Sequence, residues 1–244
     1  MRQSRLHGDR NLANKRILII SDTHAPYHHK DAIRFLTAIK EKYDPDRVIH
    51  IGDEADKHAL SYHDSDPDLD SAGRELEQAK EFLWKIEELY PRMTVIESNH
   101  GSLALRKAKT AGIPRAYLRP YKEIYETPKW NWVPHLTLTL PNGQPCHFVH
   151  GLSANTRTLT LSKGMSAVQG HYHEKFEIVY WGNEERLNFG MTVSCLIDDD
   201  AMAFNYNKVF VKRPIIGCGM IIDSQPKLIP LVKKTNGRWN GRVN

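Results

Sequence analysis

Five short apolar runs in this chain each end in a cluster of aspartate, asparagine or histidine, and that recurrence constrains the fold more than any other feature. Residues 16–20 (Arg-Ile-Leu-Ile-Ile) run into Ser21-Asp22-Thr23-His24. Residues 47–51 run into Gly52-Asp53-Glu54-Ala55-Asp56, and residues 93–96 lead to Ser98-Asn99-His100-Gly101. Two later runs end in His150-Gly151 and in Gly170-His171-Tyr172-His173. Short β-branched apolar runs suit strands buried on both faces. Between the first three lie helical periods. Ile33, Leu36, Ile39 and Tyr43 are stopped by Asp44-Pro45; Leu76, Ala79, Leu83, Ile86 and Tyr90 are opened by Ser71 and stopped by Pro91. The order β-α-β-α-β predicts parallel strands with crossover helices. Ligands of such sheets bind beyond the carboxyl ends of the strands, so one edge is expected to collect all five clusters.

Taken singly, each cluster reads as a helix cap, a turn or a surface histidine. Taken together, they offer only oxygen and imidazole donors, which suit divalent cations such as Mn²⁺, Fe or Zn²⁺ and not thiolate-selective metals. Two such ions roughly 3.5–4 Å apart clamp a phosphoryl group and acidify water. Asp53 lies centrally in the donor order, where one carboxylate would bridge both ions. Gly52 lets the backbone turn sharply beside it.

Composition narrows the class. The chain has 244 residues, 40% hydrophobic and 26% charged, with 34 Lys+Arg against 29 Asp+Glu, the profile of an ordinary globular protein. No apolar run approaches the ~20 residues of a membrane span, and the first fifteen residues lack a secretory apolar segment. Three scattered cysteines (Cys146, Cys195, Cys218) suit a reducing compartment. The expectation is a cytoplasmic protein without a membrane partner; the sequence does not set its oligomeric state. Residues 1–15 and 232–244 read as basic, solubilising tails around a single domain at 16–231. Beyond residue 135, strand-like runs separated by Pro141-Asn142-Gly143 and Gly182-Asn183 turns predict a second layer of sheet. Residues 101–134, with seven Lys/Arg, Trp130 and Trp132, read as a helical or loop cap.

The ordered set Asp22-x-His24, Gly52-Asp53-x-x-Asp56, Asn99-His100, His150-Gly151 and Gly170-His171-x-His173 resembles the calcineurin-like metallophosphoesterase superfamily, over residues 16 to about 181. The resemblance implies an α/β four-layer metallophosphoesterase fold: a central β-sandwich flanked by helices, with the cap inserted. It implies two divalent metal ions, Mn²⁺ foremost, with Fe, Zn, Ni or Mg as alternatives. Asp22, His24, Asp53 and His173 would hold the first; Asp53, Asn99, His150 and His171 would hold the second. His100 would serve the leaving group, with Asp56 orienting its ring. The third cluster departs from the family pattern, which commonly begins with Gly and ends with an acidic residue; here Ser98 and Gly101 stand there. No Arg follows Asp56, which argues against the serine/threonine phosphoprotein phosphatase branch and makes Lys57 and His58 candidate phosphate contacts.

The expected activity is phosphate-ester hydrolysis by in-line attack of a metal-bridging hydroxide. A phosphodiesterase acting on nucleotides or nucleic acid is favoured by the basic ends and the cap. The alternatives are a nuclease of the repair type and a non-catalytic binding protein on the same fold. His58 and His63 are candidate substrate contacts. His28 and His29 read as surface residues at the start of the first helix, and His50 as a hydrogen-bonded core histidine. Asp198-Asp199-Asp200 reads as a turn, and Asp64 to Asp70 as a solvated segment lacking the glycine and glutamate of a calcium loop.

Overall fold

A computed structural model describes residues 14–62, 68–201 and 213–243. Strand β1 (Arg16–Ile20) shows how the architecture arises. Its side chains alternate, and both sets are apolar: Leu18 and Ile20 face one layer, Ile17 and Ile19 the other. A strand with two apolar faces must be covered on both, and it is. On one side lie α1 (Ala32–Tyr43) and α2 (Ala72–Leu89), contributing Phe35, Leu36, Ile39, Phe82, Leu83 and Ile86. On the other lies a second sheet, contributing Phe148, Val168 and Met191.

The first sheet has the order β11-β10-β1-β2-β3-β4. Strands β1, β2 (Arg47–His50), β3 (Thr94–Ile96) and β4 (Asn131–Val133) run parallel. Strands β10 (Gly217–Ile222) and β11 (Gln225–Pro230) return antiparallel along the far side of β1. The second sheet has the order β5-β6-β7-β9-β8, from β5 (Leu136–Thr139), β6 (Pro145–Val149), β7 (Ser166–Gln169), β8 (Glu177–Gly182) and β9 (Leu187–Thr192). Helix α5 (Thr156–Lys163) packs on its outer face. Helix, sheet, sheet, helix: the four expected layers are present. No helix among the described residues is long and apolar enough to cross a membrane.

The segment 101–134 holds α3 (Leu103–Thr110), a 3-10 turn at Arg115–Tyr117 and α4 (Tyr121–Ile124). It then ends in β4, which joins the sheet edge beside β3.

Three readings are corrected. The C-terminal stretch does not stand off as a solvated tail: Trp239 is 5% exposed and meets Phe35 edge-on at 5.5 Å. Arg238 grips the buried Asp31 through Nε (2.7 Å) and Nη2 (2.6 Å); a carboxylate out of water needs that counter-charge. His29 is buried, its Nε2 donating to the Gly237 carbonyl (3.1 Å) and its Nδ1 accepting from the Asp31 N–H (3.1 Å). His28 stacks on Phe82 at 3.5 Å. The expected basic N-terminus lies outside the described residues up to position 13.

Candidate metal centre

Each cluster occupies the turn that follows its strand, and the backbone there is unusual. Asp22, His24, Asp53 and His171 all have positive φ (49°, 44°, 50° and 69°). Non-glycine residues adopt that region at a cost, and such strain gathers at functional sites. Two glycines make the close approach feasible. Gly52, at φ 88°, lies where a Cβ would come within 2.5 Å of Ser98 Cβ. At Gly170 a Cβ would fall 2.5 Å from Asp22 Oδ2.

The candidate ligands lie close together. Asp22 Oδ1 lies 3.1 Å from His173 Nε2 and 3.8 Å from His24 Nε2. His24 Nε2 is also 3.6 Å from Asp53 Oδ2. On the other side, Asp53 Oδ2 lies 3.2 Å from His150 Nε2, which is 2.6 Å from Asn99 Oδ1. The His171 ring packs 5.0 Å from that of His150. Donor atoms of Asp22, His24 and His173 form one tight group, and those of Asp53, His150 and His171 another.

Main-chain contacts aim several of these groups. His150 Nδ1–H donates to the Ile51 carbonyl (2.8 Å), so Nε2 faces the centre. Asp22 Oδ2 accepts from the His171 N–H (2.9 Å) and from the Ser21 hydroxyl. Asp53 Oδ1 accepts from the His100 N–H (3.1 Å).

The electrostatics follow from burial. Asp22 and Asp53 are essentially sealed from water. Burial pushes their pKa values up, but hydrogen bonds from His173 and His24 to Asp22, and the charge of His150 beside Asp53, hold both well below the usual carboxylate range. Burial likewise works against charge on His24 and His150, and the carboxylates win. His24 is held well above an ordinary histidine, and His150 is pushed up to about 9. Burial and the charge of His150 depress His171. Two buried carboxylates ringed by four imidazoles and an amide oxygen make a donor set matched to hard and borderline divalent cations; the three thiols are buried and pushed up by burial alone or chiefly so.

Two roles come out differently. The Asp56 carboxylate serves His24, with Oδ1 2.5 Å from Nδ1. His100 Nδ1 instead donates to the Asp56 main-chain carbonyl, and the carboxylate stands 3.6 Å away. The reason is geometric: Asp56 lies between the two rings, and its side chain reaches the more buried one. Lys57 is not a phosphate contact. Its ammonium turns inward, donating to the carbonyls of His100 (3.1 Å) and Gly101 (2.8 Å) beside the Tyr121 and Tyr125 rings. His58 is half-buried in a 3-10 turn with Nδ1 3.9 Å from Asp56 Oδ2, and His63 lies outside the described residues.

Sequence reasoning missed Ser98. Its Oγ accepts from the N–H groups of Asp53 (2.9 Å) and Gly101 (3.0 Å), tying the second cluster to the third. The signal was a hydroxyl where the pattern has glycine. The contacts of Ile51 and Asp56 are main-chain and leave no such mark. His50 is the expected core histidine, its Nε2 3.1 Å from Thr23 Oγ1, and Asp198 to Asp200 form the expected turn.

The sequence matches the calcineurin-like phosphoesterase family over residues 15–207. Among solved structures, the fold is similar to Vacuolar Protein Sorting 29 from Cryptosporidium parvum (TM-score 0.52, 11% identity, 94% of each chain). It is also similar to Vps29 of Chaetomium thermophilum (TM-score 0.50, 12% identity, 94% of each chain). A weaker likeness links it to the nuclease MPE of Pseudomonas putida (TM-score 0.37, 11% identity, 89% of this chain and 92% of that one). At these identities the likeness to the two Vps29 structures is one of fold. No curated protein sequence matches the chain.

Proposed function

Because the chain belongs to the calcineurin-like phosphoesterase family, we propose that it is a metal-dependent phosphodiesterase acting on nucleotides or nucleic acid. The observation that carries the reading is the shared position of Asp53: its Oδ2 lies 3.6 Å from His24 and 3.2 Å from His150, between the two donor groups. Asp22, His24, Asp53 and His173 would hold one divalent cation, and Asp53, Asn99, His150 and His171 the other. When bound, such a pair supplies Lewis acidity to the phosphoryl oxygens and lowers the pKa of water.

The chain's own groups do the rest. Asp22 and Asp53, kept ionised, provide the negative charge that retains cations. The Asp56 carboxylate and the Ile51 carbonyl fix the tautomers of His24 and His150, leaving each Nε2 as a donor. His100 has Nδ1 committed to the Asp56 carbonyl, so any proton it passes to the leaving oxygen of a diester is held at Nε2. A proton so placed serves the departure of an alkoxide. A non-catalytic binding role is disfavoured by the donor set, in which each expected ligand position carries a ligating side chain.

The test is hydrolysis of bis-p-nitrophenyl phosphate with Mn²⁺. Asp53→Ala and Asn99→Ala should each lower kcat/KM by at least about 100-fold, since groups that merely orient ligands already cost 10–100-fold. Activity that survives either substitution, or chelation, defeats the reading.

A further inference from the structure

The chain's positive charge is not spread evenly. Residues 101–134 hold seven Lys/Arg against two Asp/Glu; the two ends of the chain are also basic, and the stretches between carry the offsetting acid excess. Of the two acids, Glu126 is already taken by Lys80 at 3.1 Å, while Arg106, Lys109, Arg115, Arg119, Lys122 and Lys129 are exposed.

This basic segment adjoins the proposed centre. Arg106 Nη2 donates to the main-chain carbonyl of Asn99 (2.8 Å), and Lys57 links the His100 and Gly101 carbonyls to the ring of Tyr121. Beneath the segment is a cavity of about 840 Å³ lined by Lys57, Arg115, Arg119, Tyr121, Tyr125 and Trp132. That is within the size range of organic-ligand pockets. Its wall is aromatic: Trp132 lies 5.2 Å from Tyr121 and 5.6 Å from Tyr125. The buried Trp132 Nε1–H meets no acceptor among the described residues. A buried donor left unpaired is costly, and a nucleobase edge supplies acceptors. At the rim of the cavity Tyr117 is 80% exposed; outside it Tyr62 is 57% exposed, with Arg106 and Lys107 5.3 and 5.4 Å from its ring centre.

Guanidinium groups for phosphates, aromatic faces for bases and an orphan N–H for a base edge belong together in single-strand recognition; a duplex keeps its bases stacked and out of such a cavity. We propose that residues 101–134 bind a single-stranded polynucleotide, with the nucleotide flanking the scissile phosphate seated in this cavity. The inference rests on the phosphodiesterase reading above and narrows its substrate from nucleotides in general to a strand.

Binding is tested by fluorescence anisotropy, using full-length protein in EDTA and a short fluorescein-labelled single-stranded oligonucleotide, as DNA and as RNA. Arg115→Gln/Arg119→Gln should weaken binding about tenfold and reduce the slope of log K against log salt by about 1.4, roughly 0.7 for each single-strand phosphate no longer neutralised. The charge-matched pair Arg157→Gln/Lys163→Gln on α5 should change affinity less than about twofold. Circular dichroism confirms that the variants are folded. An unchanged affinity and slope in the first variant, equal weakening in the second, or tighter binding of the corresponding duplex overturns the inference. Hydrolysis of bis-p-nitrophenyl phosphate by the metal-loaded wild type is read separately. An active wild type whose strand binding ignores Arg115 and Arg119 sinks this inference alone, whereas an inactive one sinks the phosphodiesterase reading.

Discussion

A hydroxyl at position 98 requires a bare α-carbon at position 101. Ser98 Oγ accepts from two buried N–H groups, and a Cβ on residue 101 would sit 2.8 Å from that oxygen. The two departures from the family pattern are therefore one coupled change. Gly101→Ala in the wild type should lower the Mn²⁺ affinity and destabilise the fold by about 1–3 kcal/mol, the cost of unpairing a buried donor. In a Ser98→Gly background the same substitution should cost under about 0.5 kcal/mol, the level at which uncoupled sites add. Additive effects in a double-mutant cycle would refute the coupling. Most of the convergent side chains were legible as a set, because Asp, Asn and His recur at five strand ends, although each alone reads as a cap, a turn or a surface residue. The partners of Asp56 and Lys57 were not: both sides of each contact are close in space, and no spacing rule says which ring a carboxylate reaches or which way an ammonium turns.

At the scale of elements, the loop between β1 and α1 is anchored by an apolar contact that looked like a surface histidine. His28 stacks on Phe82 of α2; burial, then the charge of Lys85, push it down to about 3. A buried neutral histidine contributes stability that is complete above its unfolded pKa, about 6.5, and is lost as pH falls towards the folded value. His28→Phe keeps a ring on Phe82 and removes the proton. Between pH 7.5 and 5.5 the variant should lose about 1.4 kcal/mol less stability than the wild type in urea unfolding. Equal losses would place His28 in water. Elements with a strong period were readable: α2 begins at Ser71, whose hydroxyl accepts from the Arg74 N–H. The elements without one were not. Helix α5 is rich in threonine and depends on its Asn155 cap and its fit to the second sheet. Strand β11 contains Pro226 and Pro230, tolerated because it lies at a sheet edge. Strand β4 is three residues long and is a strand only because β3 stands beside it.

For the molecule as a whole, the proposed centre is where both sheets meet, since Asp22, Asp53 and Asn99 follow strands of one and His150 and His171 follow strands of the other. Cations held there would cross-link the two layers. Mn²⁺ at about 100 times its Kd should therefore raise unfolding stability by about 2.7 kcal/mol, read as a higher Tm that chelation reverses and Asp53→Ala abolishes. A Tm indifferent to Mn²⁺ would show that the ligands hold no metal. The linear sequence by itself determined the layered class, the parallel core strands and the identities of the converging donors, because hydrophobic period and residue chemistry are local properties. The tertiary structure alone decided which imidazole each carboxylate serves, that the C-terminal segment closes over α1, and that residues 101–134 help to line a cavity. Those depend on which distant groups share a space that water has left, and no local pattern encodes that.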